Sequence, residues 1–207
     1  MLTLAFHPVD TWFFRESRPM DSQGGTSLGN QFPPSAATLM GALRTRIGDM
    51  LEADWQDLTT LPVWWGDADQ WGTLRLEGPW LRLDGEDYLP CPAHLLRGKE
   101  DDAGYVMLQP GDVVNCDLGK VRLPALPGGT PPGVKPLEDH WLPRTVLASV
   151  LTGQLPPAKT KVVSTAELLA DEYRLGIAID SSKRAVVEGQ LYQTRHQRPR
   201  RGLAVMI

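Results

Sequence analysis

Cysteine is scarce. Cys91 and Cys116 are the whole complement, too few for a disulfide framework. No apolar run approaches the roughly 20 residues of a membrane span, so neither a membrane helix nor a membrane partner is expected. The opening MLTLAFHPVDTWFFRESRP has no basic stretch followed by a long apolar one, so a secretory signal is not expected either. Histidine is confined to four scattered positions, 7, 94, 140 and 196. There is no GxxxxGK[ST], no HExxH, and no GxGxxG after the first strand, which removes the usual nucleotide loops and zinc proteases. Cys91-x-x-His94, with Cys116 and His140 far off, has donor atoms for zinc without the spacing of a compact structural site. No metal or other cofactor is therefore expected. An excess of basic charge is missing too: 21 Lys+Arg against 25 Asp+Glu leave a formal net charge of -4. A wholly basic chromatin-type protein is excluded, and a reduced, cytoplasmic protein is expected.

What is present fits an ordinary folded chain. The 207 residues suit one large domain or two small ones. With 42% hydrophobic and 22% charged residues, wholesale disorder is excluded. Twenty Gly and 18 Pro argue against a helical bundle and for many turns and short strands.

Charge is unevenly spread. Residues 49–138 carry 16 acids against 7 Lys/Arg, whereas residues 183–201 carry six basic residues against Glu188. Such a basic end marks either nucleic-acid contact or a solvated hairpin rich in arginine.

Along the chain, apolar residues at 2, 4 and 6 predict a first strand. A long exposed loop, TWFFRESRPMDSQGGTSLGNQFPPS, follows it, and three aromatics and two arginines at its start argue for function. Ser35 is placed to cap a helix with an apolar stripe through Leu39, Leu43, Ile47 and Met50 or Leu51. That helix is expected to end near residues 52–54, and a small-residue stripe (Ala37, Gly41, Gly48) to let it approach a sheet. Five of the seven Trp lie within residues 55–80. The acids among them argue for a core or a protein-facing surface rather than a base-stacking platform. TLRLE, WLRLD and EDYLPCP predict a small antiparallel meander, with Glu100-Asp101-Asp102 in a surface loop beyond it. LPALPGGTPPGVKP holds five Pro and three Gly in 14 residues and predicts a stiff connector. A helix is expected over about 143–151, ended by Gly153 and Pro156-Pro157. RLGIAID, VVEGQLYQ and GLAVMI predict strands. The last ends the chain abruptly, so its neighbours are expected to be missing or to come from another polypeptide. Arg195, Arg198, Arg200 and Arg201 then project from one loop, which Pro199 keeps from forming a regular ladder.

Four segments in order resemble a known family: PVDTWFFRESRPM with Gly24-Gly25 and FPPSAATLMGALRTRIG, LEGPWLRLDGEDYLPCPAHLL, GVKPLEDHWLPRTVLASVLTG, and EYRLGIAIDSSKRAVVEGQLYQTRHQRPRRGLAVMI. The chain resembles the RAMP superfamily of CRISPR-associated proteins, and within it the family of subunit three of the type III-B Cmr effector complex. That resemblance implies an α+β, ferredoxin-like (RRM-like) RAMP fold, an antiparallel sheet with helices on one face. Family members continue well past the equivalent of Ile207 and carry a late glycine-rich loop, so the second half is expected to be incomplete here. The division expected is a start of the ferredoxin-like unit over 1–54, a Trp-rich acidic insertion over 55–165, and a strand-rich basic hairpin over 166–207.

The implied role is that of a scaffold without catalytic residues. It binds the 5′ handle of the guide RNA and sits beside the large polymerase-like subunit and the backbone RAMP subunits. Single-stranded RNA is held by aromatic and Arg planes against bases and by Lys/Arg on phosphates. The expected RNA contacts are Phe14, Arg15, Arg18, Gly24, Gly25, Arg44, Arg174, Lys183, Arg184, Arg195, Arg198, Arg200 and Arg201. Trp55, Trp64, Trp65 and Trp71 are expected to dock protein. Trp12, Phe13 and Phe14 are equally readable as anchors of the loop base, with at least one of them buried. Two alternatives stay open: a metal-independent RAMP endoribonuclease with His7 or Tyr192 in acid–base roles, and an assembly module that contacts protein only.

Overall fold

The computed structural model describes residues 2–16, 26–57, 61–66, 72–98 and 104–207, without the side chains of 26 and 188–190. The chain is an α+β protein of mostly antiparallel sheets with few helices. It divides into two units, Met1–Trp80 with Asp171–Pro199 and Ala204–Ile207, and Leu81–Ala170 with Arg200–Leu203.

In the first unit, β1 (Ala5–Phe6) is short. Next come β2 (Thr26–Leu28) and α1 (Ala36–Met50). Ser35 sits in extended geometry before α1, and its Oγ accepts the Thr38 N–H at 3.1 Å, as its position after Pro33-Pro34 predicts. Leu39 and Met40 are buried, whereas Met50 and Leu51 at the end of the predicted stripe are exposed. Gly48 faces Trp55, not a sheet: a Cβ there would lie 2.5 Å from the Trp55 ring.

The chain enters the second unit within β3 (Trp80–Leu83), and β4 (Glu86–Pro90), β5 (Leu95–Arg97) and β6 (Tyr105–Met107) follow. Asp84 and Gly85 join β3 to β4 with positive φ at both, the geometry of a tight Asp-Gly hairpin. The meander is shorter than predicted, because TLRLE forms no strand. A long ribbon follows, β7 (Gln109–Cys116) paired with β8 (Gly119–Ala125). It takes in the first residues of the predicted stiff connector: Pro124 lies opposite Pro110, so neither proline is asked for an internal ladder bond. Glu100-Asp101-Asp102 lies outside the described residues.

β9 (Lys135–Pro136) pairs with β5. β10 (His140–Pro143) pairs with both β4 and β11 (Val163–Ser164). Between them α2 (Arg144–Leu151) occupies the predicted helix. Leu95, Tyr105, Leu137, Leu142 and Val150 form the core of this unit, with Cys91, Val146 and Leu147 packed against it. The four-residue α3 (Thr165–Leu168) carries a reciprocal cap between Ser164 and Glu167.

The chain then forms a hairpin, β12 (Leu169–Asp180) and β13 (Ala185–Pro199), before β14 (Leu203–Met206). The long predicted loop contributes β2 to this hairpin's sheet, parallel to β13 with Leu28 beside Thr194. Tyr173, Leu175, Ile177 and Ile179 alternate along one face of β12 and are all exposed, Leu175 by 74%. On the opposite face, Gly176 leaves room for the Tyr192 ring, which a Cβ would meet at 2.2 Å. The expectation that the last strand lacks its neighbours is corrected. β14 pairs with β1, Ala5 beside Met206 and Phe6 beside Val205, and Val205, Met206 and Ile207 are buried.

Candidate nucleic-acid interface

The aromatic run after β1 is anchored by contacts with β13. Trp12 and Gln197 exchange both backbone hydrogen bonds at 2.8 Å. Trp12 stacks on Phe32 with ring centres 5.5 Å apart, Phe13 stacks on His196 at 4.9 Å, and Phe14 tilts against Trp12 at 6.4 Å. All three run members are half-buried and hold the loop base through these ring contacts, and none of them is fully buried, which corrects the expectation that at least one would be. Beneath them Asn30 is buried and fully engaged. Its Oδ1 accepts the Phe14 N–H at 2.6 Å, and its Nδ2 donates to Gln197 Oε1 at 2.8 Å and to the Trp12 carbonyl at 3.4 Å. Arg15, one residue past this anchor, is exposed and bridges to Asn30 through the backbone. The fixed aromatics thus hold the base of the loop, with its first arginine exposed at the edge of that base.

Arg174 on β12 and Arg198 on β13 meet two carboxylates. Arg174 Nη2 lies 3.1 Å from Asp10 Oδ2 and 2.7 Å from Glu172 Oε1. Arg198 reaches Asp10 Oδ1 at 2.8 Å and Glu172 Oε2 at 2.6 Å. The two guanidiniums hold Asp10 and Glu172 below the usual carboxylate range, and the carboxylates raise both arginines. This four-membered cluster carries no net charge, so its arginines present less positive potential than an unpaired pair would.

The predicted single arginine loop is corrected. β13 extends through Pro199, so Arg195 and Arg198 belong to the strand and only Arg200 and Arg201 to the turn after it. The ladder is longer than expected because Pro199 occupies its last position, where no further bond is needed. Arg195 lies 3.5 Å from Asp171. In the second unit, Arg200 lies 3.7 Å from Asp84, and Arg201 is exposed with no ion-pair partner among the described residues. Lys183 and Arg184 are exposed on the β12–β13 turn, without an ion-pair partner among the described residues. Asp180 shapes that turn by accepting the Ser182 and Lys183 N–H groups.

Arg44 is half-buried, and its guanidinium lies 4.0 Å over the Trp65 ring, a cation–π contact within the unit. Trp65 is 3% exposed and packs against Trp55 at 6.1 Å, which corrects its expected docking role to one in the core. Trp55 and Trp64 stay 47% and 41% exposed. Arg18, Gly24, Gly25 and Trp71 lie outside the described residues.

Sequence reasoning missed Asp10, Glu172, Asn30 and Gln197. Asp10 and Arg198 are 188 positions apart, and nothing local announces such a pair. Glu172 and Arg174 were within reach, because a strand places residues two apart on one face. His7 is exposed at the end of β1, and Tyr192 packs over Gly176. Burial pushes the Cys91 thiol up to about 12, so it stays protonated and inert. Among the described residues no group of His, Cys, Asp or Glu is arranged to hold a metal ion, and no helix is long and apolar enough to cross a membrane.

Residues 4–207 match the protein family described as "CRISPR-associated protein (Cas_Cmr3)". The fold is similar to a chain in a solved structure, "Cryo-EM structure of the Type III-B Cmr-beta bound to cognate target RNA and AMPPnP, state 1", with TM-score 0.50 and 17% identity. The similarity covers 99% of this chain and 53% of that one, so the present chain spans about half the length of its structural relative. No curated protein matches.

Proposed function

We propose a scaffold role for this chain, which belongs to the Cas_Cmr3 family of CRISPR-associated proteins. It acts as a non-catalytic subunit of a type III RNA-guided effector complex in antiviral defence. It binds the 5′ handle of the guide RNA and docks the large polymerase-like subunit, with backbone RAMP subunits as further neighbours. The fold is the front portion of a ferredoxin-like RAMP unit. The observation that carries this reading is the family match, which runs through residues 4–207 without being confined to one motif.

The surface chemistry supports it. Arg15 is exposed above a base of stacked aromatics, and Lys183, Arg184 and Arg201 are exposed cations. Such side chains meet phosphates or stack on splayed bases. Arg174, Arg195, Arg198 and Arg200 are half-exposed beside carboxylates, so a phosphate would share or displace those partners. The exposed faces of Trp55 and Trp64 lie in the acidic stretch and suit a protein partner better than a phosphate chain.

The test is guide-RNA affinity in the reconstituted complex for Arg15→Ala and Arg18→Ala. A loss of about 1–3 kcal/mol is expected, together with poorer discrimination of the handle. Wild-type behaviour in both variants overturns the assignment. Cleavage of repeat RNA in EDTA, lost in His7→Ala, would overturn the non-catalytic reading.

A further inference from the structure

β12 ends its sheet. The strand order is β12, β13, β2, so among the described residues β12 is hydrogen-bonded on one side only. Its other edge offers backbone N–H and C=O groups to a further strand. Folded proteins blunt such edges with proline or with lysine. Residues 173–179, YRLGIAI, hold neither. Tyr173, Leu175, Ile177 and Ile179 stand exposed on one face of this edge, which makes it a template for pairing.

Charge complementarity points to the occupant. Laid antiparallel to itself about a two-fold axis at Ile177, β12 sets Leu175 opposite Ile179 of a second copy and Ile177 opposite Ile177. On the other face Gly176 meets Ala178, small against small, and Arg174 meets Asp180. One step further out, Asp171 meets Lys183 on the β12–β13 turn. Symmetry repeats each pair, so opposite charges close both ends of the contact. The groups are able to respond. Asp180 accepts the Ser182 N–H, the Ser182 hydroxyl and the Lys183 N–H, all through Oδ1, which leaves Oδ2 for a cation. Lys183 is exposed and has no ion-pair partner among the described residues.

Other registers lose this match. Each strand must keep its faces, so the axis moves by whole residues. With Gly176 at the axis, Glu172 falls opposite Asp180, like charge on like. With Ala178 there, Leu175 falls opposite Ser181 and Arg174 opposite Ser182. A parallel, in-register pair stacks every charge on its own kind.

We propose that this chain pairs with a second copy of itself, β12 against β12, antiparallel and centred on Ile177. The two sheets then run on as one. The dimer asks nothing of RNA, so it stands or falls apart from the scaffold reading. It widens the apolar strip of β12 and leaves its face uncovered.

Sedimentation equilibrium of the full chain over a concentration series should show a monomer–dimer equilibrium. Ile177→Lys should weaken the dimer about tenfold, because it sets two ammonium groups side by side at the axis. Ile177 is 48% exposed, so the monomer should keep its fold, and the melting temperature of dilute protein checks that. The register is read by cross-linking in a Cys116→Ser background, which removes the exposed thiol. With diamide as oxidant, Ile177→Cys should form a disulfide dimer, since residue 177 lies opposite itself. Ile179→Cys should not, since it lies opposite Leu175 and far along the strand from its own copy. A monomer at every concentration up to the solubility limit overturns the proposal. A dimer that Ile177→Lys leaves intact also overturns it, because its contact lies elsewhere. Equal cross-linking at 177 and 179 overturns it too, as adhesion without register.

Discussion

Asn30 shows how one buried amide can fix a loop. Its side chain satisfies Phe14 N–H, Gln197 Oε1 and the Trp12 carbonyl at once. Asn30→Ala would strand these groups in a part-buried setting, at a cost of about 1–3 kcal/mol. Urea denaturation should show that loss, and Phe13 and Trp12 should lose their fixed ring environments in NMR. A variant of wild-type stability would mean that water replaces the amide without penalty. Nothing in the sequence marks Asn30 for this work. It sits among turn-forming residues, and its partner Gln197 is 167 positions away. Ser35 is the opposite case. Its role was legible because a cap needs only the local chain: a hydroxyl after Pro33-Pro34 and an apolar period behind it.

At the scale of elements, short-range signals also served best. The Asp84-Gly85 turn, α1 and α2 lie where local chemistry predicts them. Missed elements depend on distant pairing, such as β2 beside β13, or on exposed strands without a clean apolar alternation, such as β7 and β8. The Asp10–Glu172–Arg174–Arg198 cluster belongs to the same class, and it carries a pH prediction. Asp10 and Glu172 have folded-state pKa values below their unfolded ones. Their contribution is therefore fully present above the unfolded values, about 4, and lost as pH falls through the lower folded values. Arg198→Ala removes part of that contribution. The melting-temperature gap between wild type and variant should thus be widest near neutral pH and should narrow below about pH 4. A gap that persists unchanged into acid would assign Arg198's effect to packing of its stem. High salt should shrink the neutral gap, since these groups are exposed.

For the whole molecule, family membership was legible in ordered motifs, while the detailed use of its arginines was not. Clustering in sequence suggested one cationic tip, yet strand geometry disperses those side chains, and carboxylates engage Arg174, Arg195, Arg198 and Arg200. Net charge gave no warning, because a local pair cancels without altering composition. The apolar alternation of β12 has a consequence for how the chain fares in a cell. Tyr173, Leu175, Ile177 and Ile179 form an uncovered adhesive strip, so overproduction should favour chaperone capture and inclusion bodies. Replacing Leu175 and Ile177 by Lys and Thr should raise the soluble yield while leaving the melting temperature within a few degrees, since little burial is lost. Dosage would then matter to such a protein as much as affinity: synthesis ahead of demand leaves an orphan that the proteostasis machinery must clear.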